Sequence, residues 1–144
     1  MLLANLNRLT RQLAITGTAV IAVYDPAARM LSWARGGHMA PLVTRAAHTD
    51  ELPLPPGVLL GASDHSCYPV VTVRLCPDDV VLFYTDGLVE RRDPEQVDLL
   101  ERVKEALREV SAEPGDLRLK RLRDLLPTAG PDDDTCTLAV RVLP

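Results

Sequence analysis

The sequence predicts an α+β domain, and three observations carry that expectation. Val80-Val81-Leu82-Phe83-Tyr84 is an unbroken run of apolar and aromatic residues, too short for a helix and rich in strand formers, so it reads as a strand buried on both faces. Thr18 to Tyr24 and Met30 to Arg35 flank Asp25-Pro26-Ala27-Ala28-Arg29, whose Asp and Pro have the turn chemistry of a β-hairpin. Apolar residues recur at helical spacing near both ends of the chain: Leu2, Leu6, Leu9 and Leu13 early, Val97, Leu100, Val103, Leu107 and Val110 late. Runs of strands set apart from runs of helices are the pattern of α+β folds.

The totals bound the function. The chain has 144 residues, fitting one domain over 1–144 with enough length for a core, and 47% hydrophobic content supports a folded globule. Twenty acidic residues against 16 basic ones give a net charge of −4, which argues against general binding to nucleic acid or an anionic membrane. No apolar run reaches the roughly 20 residues that cross a bilayer, and the first residues lack the charged start and small-residue cleavage site of a signal peptide. A cytoplasmic protein is expected. Cys67, Cys76 and Cys136 form no Cys-x-x-Cys pair, against a disulfide framework or zinc site, and are expected to be small buried residues.

Taken in order, residues 2–14 form an amphipathic helix that Gly17 ends, and the hairpin follows. Gly36-Gly37-His38 breaks the return strand before a short strand at Pro41 to Arg45, a β-meander. Pro53, Pro55, Pro56, Gly57 and Gly61 make residues 46–67 an ordered surface loop rather than another element. Tyr68 to Leu75 alternates as a strand, with Val71, Val73 and Leu75 to one side and Thr72 and Arg74 to the other. Pro77-Asp78-Asp79 then turns the chain into the run at 80–84.

Two helices and a last strand complete the reading. Asp93 caps the first helix, with Pro94 at its first position and Gln96 closing a capping box, and Glu113-Pro114-Gly115 stops it. The second runs from a cap at Asp116 to Leu126, with Leu119, Leu122, Leu125 and Leu126 apolar and Pro127 beyond it. Its bases Arg118, Lys120, Arg121 and Arg123 read as a solvated face. Thr135 to Val142 is a strand that begins directly after Asp132-Asp133-Asp134.

The carboxylates are the candidate chemistry. The buried run stops at Thr85-Asp86-Gly87, which sets a carboxylate at the tip of a rigid element, and the glycine lets another backbone or a metal's water shell come close. Taken singly, Asp-Gly is a turn dipeptide and the three aspartates a solvated strand cap. Taken together they suit Mg²⁺ or Mn²⁺, hard cations held by carboxylates from separate elements. If the strands ending at Asp86 and starting after Asp132 are antiparallel neighbours, both carboxylates lie at one sheet edge. Two cations about 4 Å apart could then share a hydroxide for in-line attack on phosphorus.

Several segments resemble, in order, the C-terminal part of the bacterial PPM (PP2C-like) phosphatase domain of the SpoIIE and RsbU type. They are Thr18-Ala19-Val20-Ile21-Ala22-Val23-Tyr24-Asp25-Pro26, Gly37-His38-Met39-Ala40-Pro41-Leu42, Leu60-Gly61 with Tyr68, the run from Leu75 to Glu90 containing Tyr84-Thr85-Asp86-Gly87-Leu88-Val89-Glu90, and Asp132-Asp133-Asp134-Thr135. The joined Tyr-Thr-Asp-Gly-Leu-Val-Glu and Asp-Asp-x-Thr elements are the specific signal.

The resemblance implies an α/β/β/α sandwich of antiparallel sheets flanked by helices, and a Mn²⁺- or Mg²⁺-dependent protein serine/threonine phosphatase acting on a phosphorylated anti-anti-sigma (STAS-domain) protein in sigma-factor signalling. By motif, Asp86 and Asp132 correspond to metal ligands and catalytic residues, Asp133 in the adjacent position and Gly87 are counted with them in the metal site, and His38 falls in a structural segment. Two departures stand out. Pro77-Asp78-Asp79 replaces the family's Pro-Gly-Asp turn, a tolerable change if the turn needs no positive φ. The family's N-terminal strands, which supply the ligand bridging both metals, have no counterpart here, so the two-metal site is expected to be incomplete and the sheet edges to invite homodimerisation. The alternative reading is a truncated, non-catalytic interaction module of the same fold.

Overall fold

The computed structural model describes residues 2–89, 99–111, 113–126 and 135–144. The chain divides into two compact units, one formed by Met1–Met39 with Pro53–Leu75, the other by Ala40–Leu52 with Cys76–Pro144.

In the first unit helix α1 (Leu2–Gln12) precedes an antiparallel sheet of β1 (Ala19–Asp25), β2 (Met30–Gly36) and β5 (Val71–Arg74), in the order β1-β2-β5. The β1–β2 hairpin forms because the Asp25 carboxylate accepts the N–H groups of Ala27 and Ala28 at 2.9 and 3.2 Å, and Arg29 turns the chain at φ +54°. Strand β5 alternates as expected, Val71 and Val73 half-buried and Thr72 and Arg74 exposed. The core of this unit is Leu3, Ala34 and Leu60, joined by Leu6, Ala19, Ile21 and Tyr68.

Helix α1 turns a different side inward than its leucine spacing suggests. Leu2, Leu9 and Leu13 are half or more exposed, while Leu3 and Asn7 are buried. Asn7 is drawn inside by backbone groups: its amide donates to the Ser63 carbonyl at 2.9 Å and its Oδ1 accepts the Gly61 N–H at 2.8 Å. The helix also stops earlier, at Gln12, with Ala14 rather than Gly17 taking the left-handed conformation at φ +52°. Arg35 fastens the proline-rich segment, donating to the Pro55 and His38 carbonyls at 2.9 and 2.7 Å. The segment runs so close that a Cβ on Gly57 would lie 2.1 Å from the Arg35 oxygen.

The second unit is built on the antiparallel sheet β4-β3-β6-β7, with β3 Leu42–Arg45, β4 His48–Glu51, β6 Val80–Tyr84 and β7 Thr137–Arg141. Two expectations change here. Strand β3 pairs with β4 and β6 rather than continuing a meander from β2, and residues 46–67 are not all loop, since His48–Glu51 forms a hairpin with β3. The turn between them places Ala46 and Ala47 at φ +47° and +64°, where Asn-Gly is the usual signal, so alanines concealed it.

Strand β6 is the buried centre, with Val80, Val81 and Leu82 each 2% exposed or less. Burying each of these side chains is worth roughly 1.5–3 kcal/mol. Helix α2 (Leu99–Val110) packs Leu99, Val103, Ala106, Leu107 and Val110 inward, close to the predicted stripe. The capping box of Asp93, Pro94 and Gln96 lies outside the described residues, as does Pro127. Helix α3 (Gly115–Leu125) has Pro114, not Asp116, at its N-cap, and of its leucines Leu122 is the one fully buried while Leu119 is exposed.

The turn into β6 is locked by ion pairs. Asp79 is 1% exposed, and its carboxylate accepts the Cys76 N–H at 2.7 Å and both Nε and Nη2 of Arg45 at 3.0 and 2.7 Å. Asp78 sits at φ +69°, so the turn does need a positive φ. Aspartate is among the few residues that accept it, and Arg141 holds the Asp78 carboxylate at 2.6 Å while Arg118 donates to its carbonyl at 3.1 Å. Arg118 is therefore not part of a solvated face: its side chain is 13% exposed. The cysteines also differ from expectation, Cys67 and Cys136 being exposed and Cys76 half-buried, all as free thiols.

Candidate functional site at the end of strand β6

Buried Tyr84 is the last residue of β6, and burial together with the nearby Glu51 charge pushes its hydroxyl up to about 12. Asp86 follows two residues later, exposed, as the first residue of a 3₁₀ turn over Asp86–Leu88. One carboxylate oxygen accepts the Gly87 N–H at 3.0 Å, and the Asp86 carbonyl accepts the Val89 N–H at 2.8 Å. Leu88, 3% exposed, anchors the turn from below. A rigid strand, a short turn and a buried leucine thus hold an outward carboxylate.

Strands β6 and β7 are antiparallel neighbours, pairing Val80 with Arg141 at one end and Tyr84 with Thr137 at the other. Beyond that last pair the Thr85 N–H donates to the Cys136 carbonyl at 3.0 Å. The condition set by the sequence is met: the end of β6 and the start of β7 share one sheet edge. Asp132, Asp133 and Asp134 themselves lie outside the described residues. The hydroxyl of Thr135, immediately after them, is enclosed and has no hydrogen-bond partner among the described residues.

Asp86 suits a hard divalent cation, being an exposed oxygen donor on a fixed element. One carboxylate does not hold such an ion, and among the described residues no group of three or more His, Cys, Asp or Glu side chains forms a cation cage. Gly87 lies in the turn, its N–H engaged with Asp86, and Nδ1 of His38 sits 3.1 Å from the Met39 carbonyl. Reading the sequence missed the clamps made by Arg45, Arg118 and Arg141 and the bond between Thr85 and Cys136. Asp78 in a position usually held by glycine was the one signal pointing to the first group.

Two antiparallel sheets with three α-helices among the described residues give the α+β fold expected, and solved structures identify it as the fold of PP2C-type phosphatases. The chain is similar to the RsbU and RsbW domains of a Mycobacterium tuberculosis protein, at TM-score 0.77 and 26% identity over 95% of this chain and 40% of that one. It is similar to the PP2C domain of SiaA from Pseudomonas aeruginosa, at TM-score 0.73 and 20% identity over 96% of this chain and 58% of that one. The phosphatase domain of SpoIIE from Bacillus subtilis matches at TM-score 0.60 and 15% identity, over 98% and 65% of the two chains. No curated protein sequence matches significantly. The family model for stage II sporulation protein E, SpoIIE, matches residues 1–143, and the chain belongs to that family. It spans 40 to 65% of the length of these solved relatives. No helix among the described residues is long and apolar enough to cross a membrane.

Proposed function

We propose that residues 1–144 are part of a single metal-dependent protein serine/threonine phosphatase domain, with Asp86 and Asp132 as metal ligands and Asp133 and Gly87 beside them. The observation that carries this reading is the antiparallel pairing of β6 with β7, which brings Asp86 and the lead-in to the acidic stretch to one edge. Asp132 is four Cα–Cα steps from Cys136, at most about 14 Å of extended chain, so an approach to Asp86 is within reach. Mn²⁺ or Mg²⁺ held there would supply an activated water and neutralise charge developing on phosphorus. The chain's own contribution is placement: the β6 end and its 3₁₀ turn fix Asp86, and the Asp79 and Asp78 clamps fix the other end of the same strand. The substrate is a phosphorylated STAS-domain regulator of a sigma factor, supported by the resemblance to RsbU-type domains.

The test is hydrolysis of p-nitrophenyl phosphate with Mn²⁺. Asp86→Asn is expected to lower turnover by about 100-fold or more, the loss of a metal ligand. Turnover unaffected by that change contradicts the assignment.

A second reading is a non-catalytic interaction module of the same fold. Tight binding of two metal ions in calorimetry counts against it. It carries a corollary for assembly, since β7 is an edge among the described strands and exposes Leu138 and Val140. Self-association through such an edge would give a dimer mass by light scattering.

A further inference from the structure

We propose that the cavity between helix α1 and residues 61–66 is a binding site for a phosphate monoester, held by Arg8 and Arg11. The site lies wholly within the first unit and uses none of the metal chemistry proposed for Asp86.

Charge is shared unevenly along this chain. Met1–Met39 with Pro53–Leu75 carries five arginines, no lysine and two aspartates, a net of +3 in a protein whose total is −4. Both aspartates are engaged, Asp25 in the hairpin turn and Asp64 with Arg11. A positive region on an acidic protein draws anions to itself. Arg8 and Arg11 stand three residues apart on one face of α1, where like charges repel, and one carboxylate does not neutralise two guanidinium groups. An anion from outside would.

The two arginines line a cavity of about 550 Å³, together with Asn7 and Gln12 of the helix and Asp64 and Ser66 of the facing segment. Its walls are tied to each other. Asn7, 5% exposed, joins helix to segment through the Ser63 carbonyl and the Gly61 N–H, and the Ser66 hydroxyl donates to the same Ser63 carbonyl at 3.0 Å. Asp64 grips Arg11 side-on, one carboxylate oxygen on Nε and the other 2.8 Å from Nη2. That grip orients the guanidinium and leaves both protons of Nη1 and one of Nη2 for a ligand. Arg8 makes one long contact, 3.5 Å from Nη2 to the Asn5 Oδ1, and the Gln12 amide has no hydrogen-bond partner among the described residues.

This surplus of donors selects the ligand. Two guanidinium forks and an amide match the three terminal oxygens and double charge of a phosphate better than the two oxygens and single charge of a carboxylate. The volume falls within the roughly 300–1,000 Å³ of small-ligand sites, so the phosphate arrives on a larger body. No aromatic side chain is in the lining, which leaves a nucleobase nothing to stack on and favours a phosphorylated side chain as the source.

The experiment is calorimetry in EDTA, where no metal-dependent hydrolysis occurs, with N-acetyl-phosphoserine amide, AMP and N-acetyl-aspartate amide as probes. The unaltered chain is compared with Arg8→Ala, Arg11→Ala, Arg11→Lys and Arg74→Ala. The phosphoserine probe is expected to bind about tenfold or more tightly than the aspartate probe, and each change at Arg8 or Arg11 to weaken it by about tenfold, the loss of a charge-assisted hydrogen bond. Arg11→Lys belongs with the weakened variants because it keeps the charge and loses the fork. Arg74→Ala removes an equal charge from the same unit and is expected to change affinity less than about twofold, since a distant exposed charge is screened. Circular dichroism identifies a variant that has lost its fold, and exposed Arg8, through Arg8→Ala and Arg8→Lys, then carries the comparison. Tighter binding of AMP than of the phosphoserine probe, lost in the same variants, upholds the monoester site and names a nucleotide as its source. The proposal is overturned if neither ester binds, if the aspartate probe binds as tightly, or if Arg74→Ala weakens binding as much as Arg8→Ala. Asp86→Asn is expected to bind the probes as the unaltered chain does, so this site and the phosphatase reading stand or fall separately.

Discussion

Asp79 is a carboxylate taken almost wholly out of water, and it is tolerated because three donors from Arg45 and Cys76 replace that water. The same contact raises the pKa of Arg45 against the opposing effect of burial. Removing the arginine leaves a buried charge with one backbone donor, so Arg45→Met is expected to cost about 2–3 kcal/mol in urea unfolding, discounted because Arg45 is itself half-exposed. Tyr84 gives a second prediction at this scale. Its folded pKa stands near 12 against 10.0 in a free side chain, so between those values the folded state holds a proton that the unfolded state has lost. Stability is therefore unaffected below pH 10 and falls as pH rises through that window, by up to about 2 kcal/mol. Tyr84→Phe should flatten that slope in denaturation measured from pH 9 to 12, and remove the latest step of tyrosinate absorbance. A run of apolar residues announced a buried Tyr84. Nothing in the sequence paired Arg45 with Asp79, because the two are brought together only when β3 and β6 align.

At the scale of elements, local pattern was legible wherever burial and periodicity agreed. Strand β6, the β1–β2 hairpin and helix α2 follow directly from apolar runs and turn chemistry, because one face or both must be hidden. The β3–β4 hairpin was hidden because its turn residues are alanines forced to positive φ. Each such residue carries a conformational penalty of about 1 kcal/mol. Replacing Ala46-Ala47 by Asn-Gly is expected to stabilise the protein by about 1–2 kcal/mol, read as a higher melting temperature with unchanged Mn²⁺ affinity. An unchanged or lower melting temperature would contradict the turn geometry. Helix α1 makes the complementary point, since Asn7 rather than a leucine faces inward to meet the Gly61 and Ser63 backbone. Side-chain character gives an amphipathic stripe; the hydrogen-bonding needs of a distant loop decide which side is used.

For the whole molecule, the order of strands was the least legible feature and the family the most. Short motifs spaced along nearly the whole chain carry the family signature, and the match over residues 1–143 agrees with it. Strand order depends on pairings such as β3 with β6 and β2 with β5, which join residues far apart in sequence and leave no local mark. The candidate site inherits both properties: Asp86 and the acidic stretch were visible as motifs, while Thr85 and Cys136 became visible only through the ladder that joins them. The central claim is that Asp86 and Asp132 converge on one divalent cation. Anomalous scattering from crystals of this chain grown with Mn²⁺ measures that directly. The account predicts a manganese peak within coordination distance of both carboxylates; full Mn²⁺ occupancy elsewhere, with residues 86 and 132 at separate places on the surface, would contradict it.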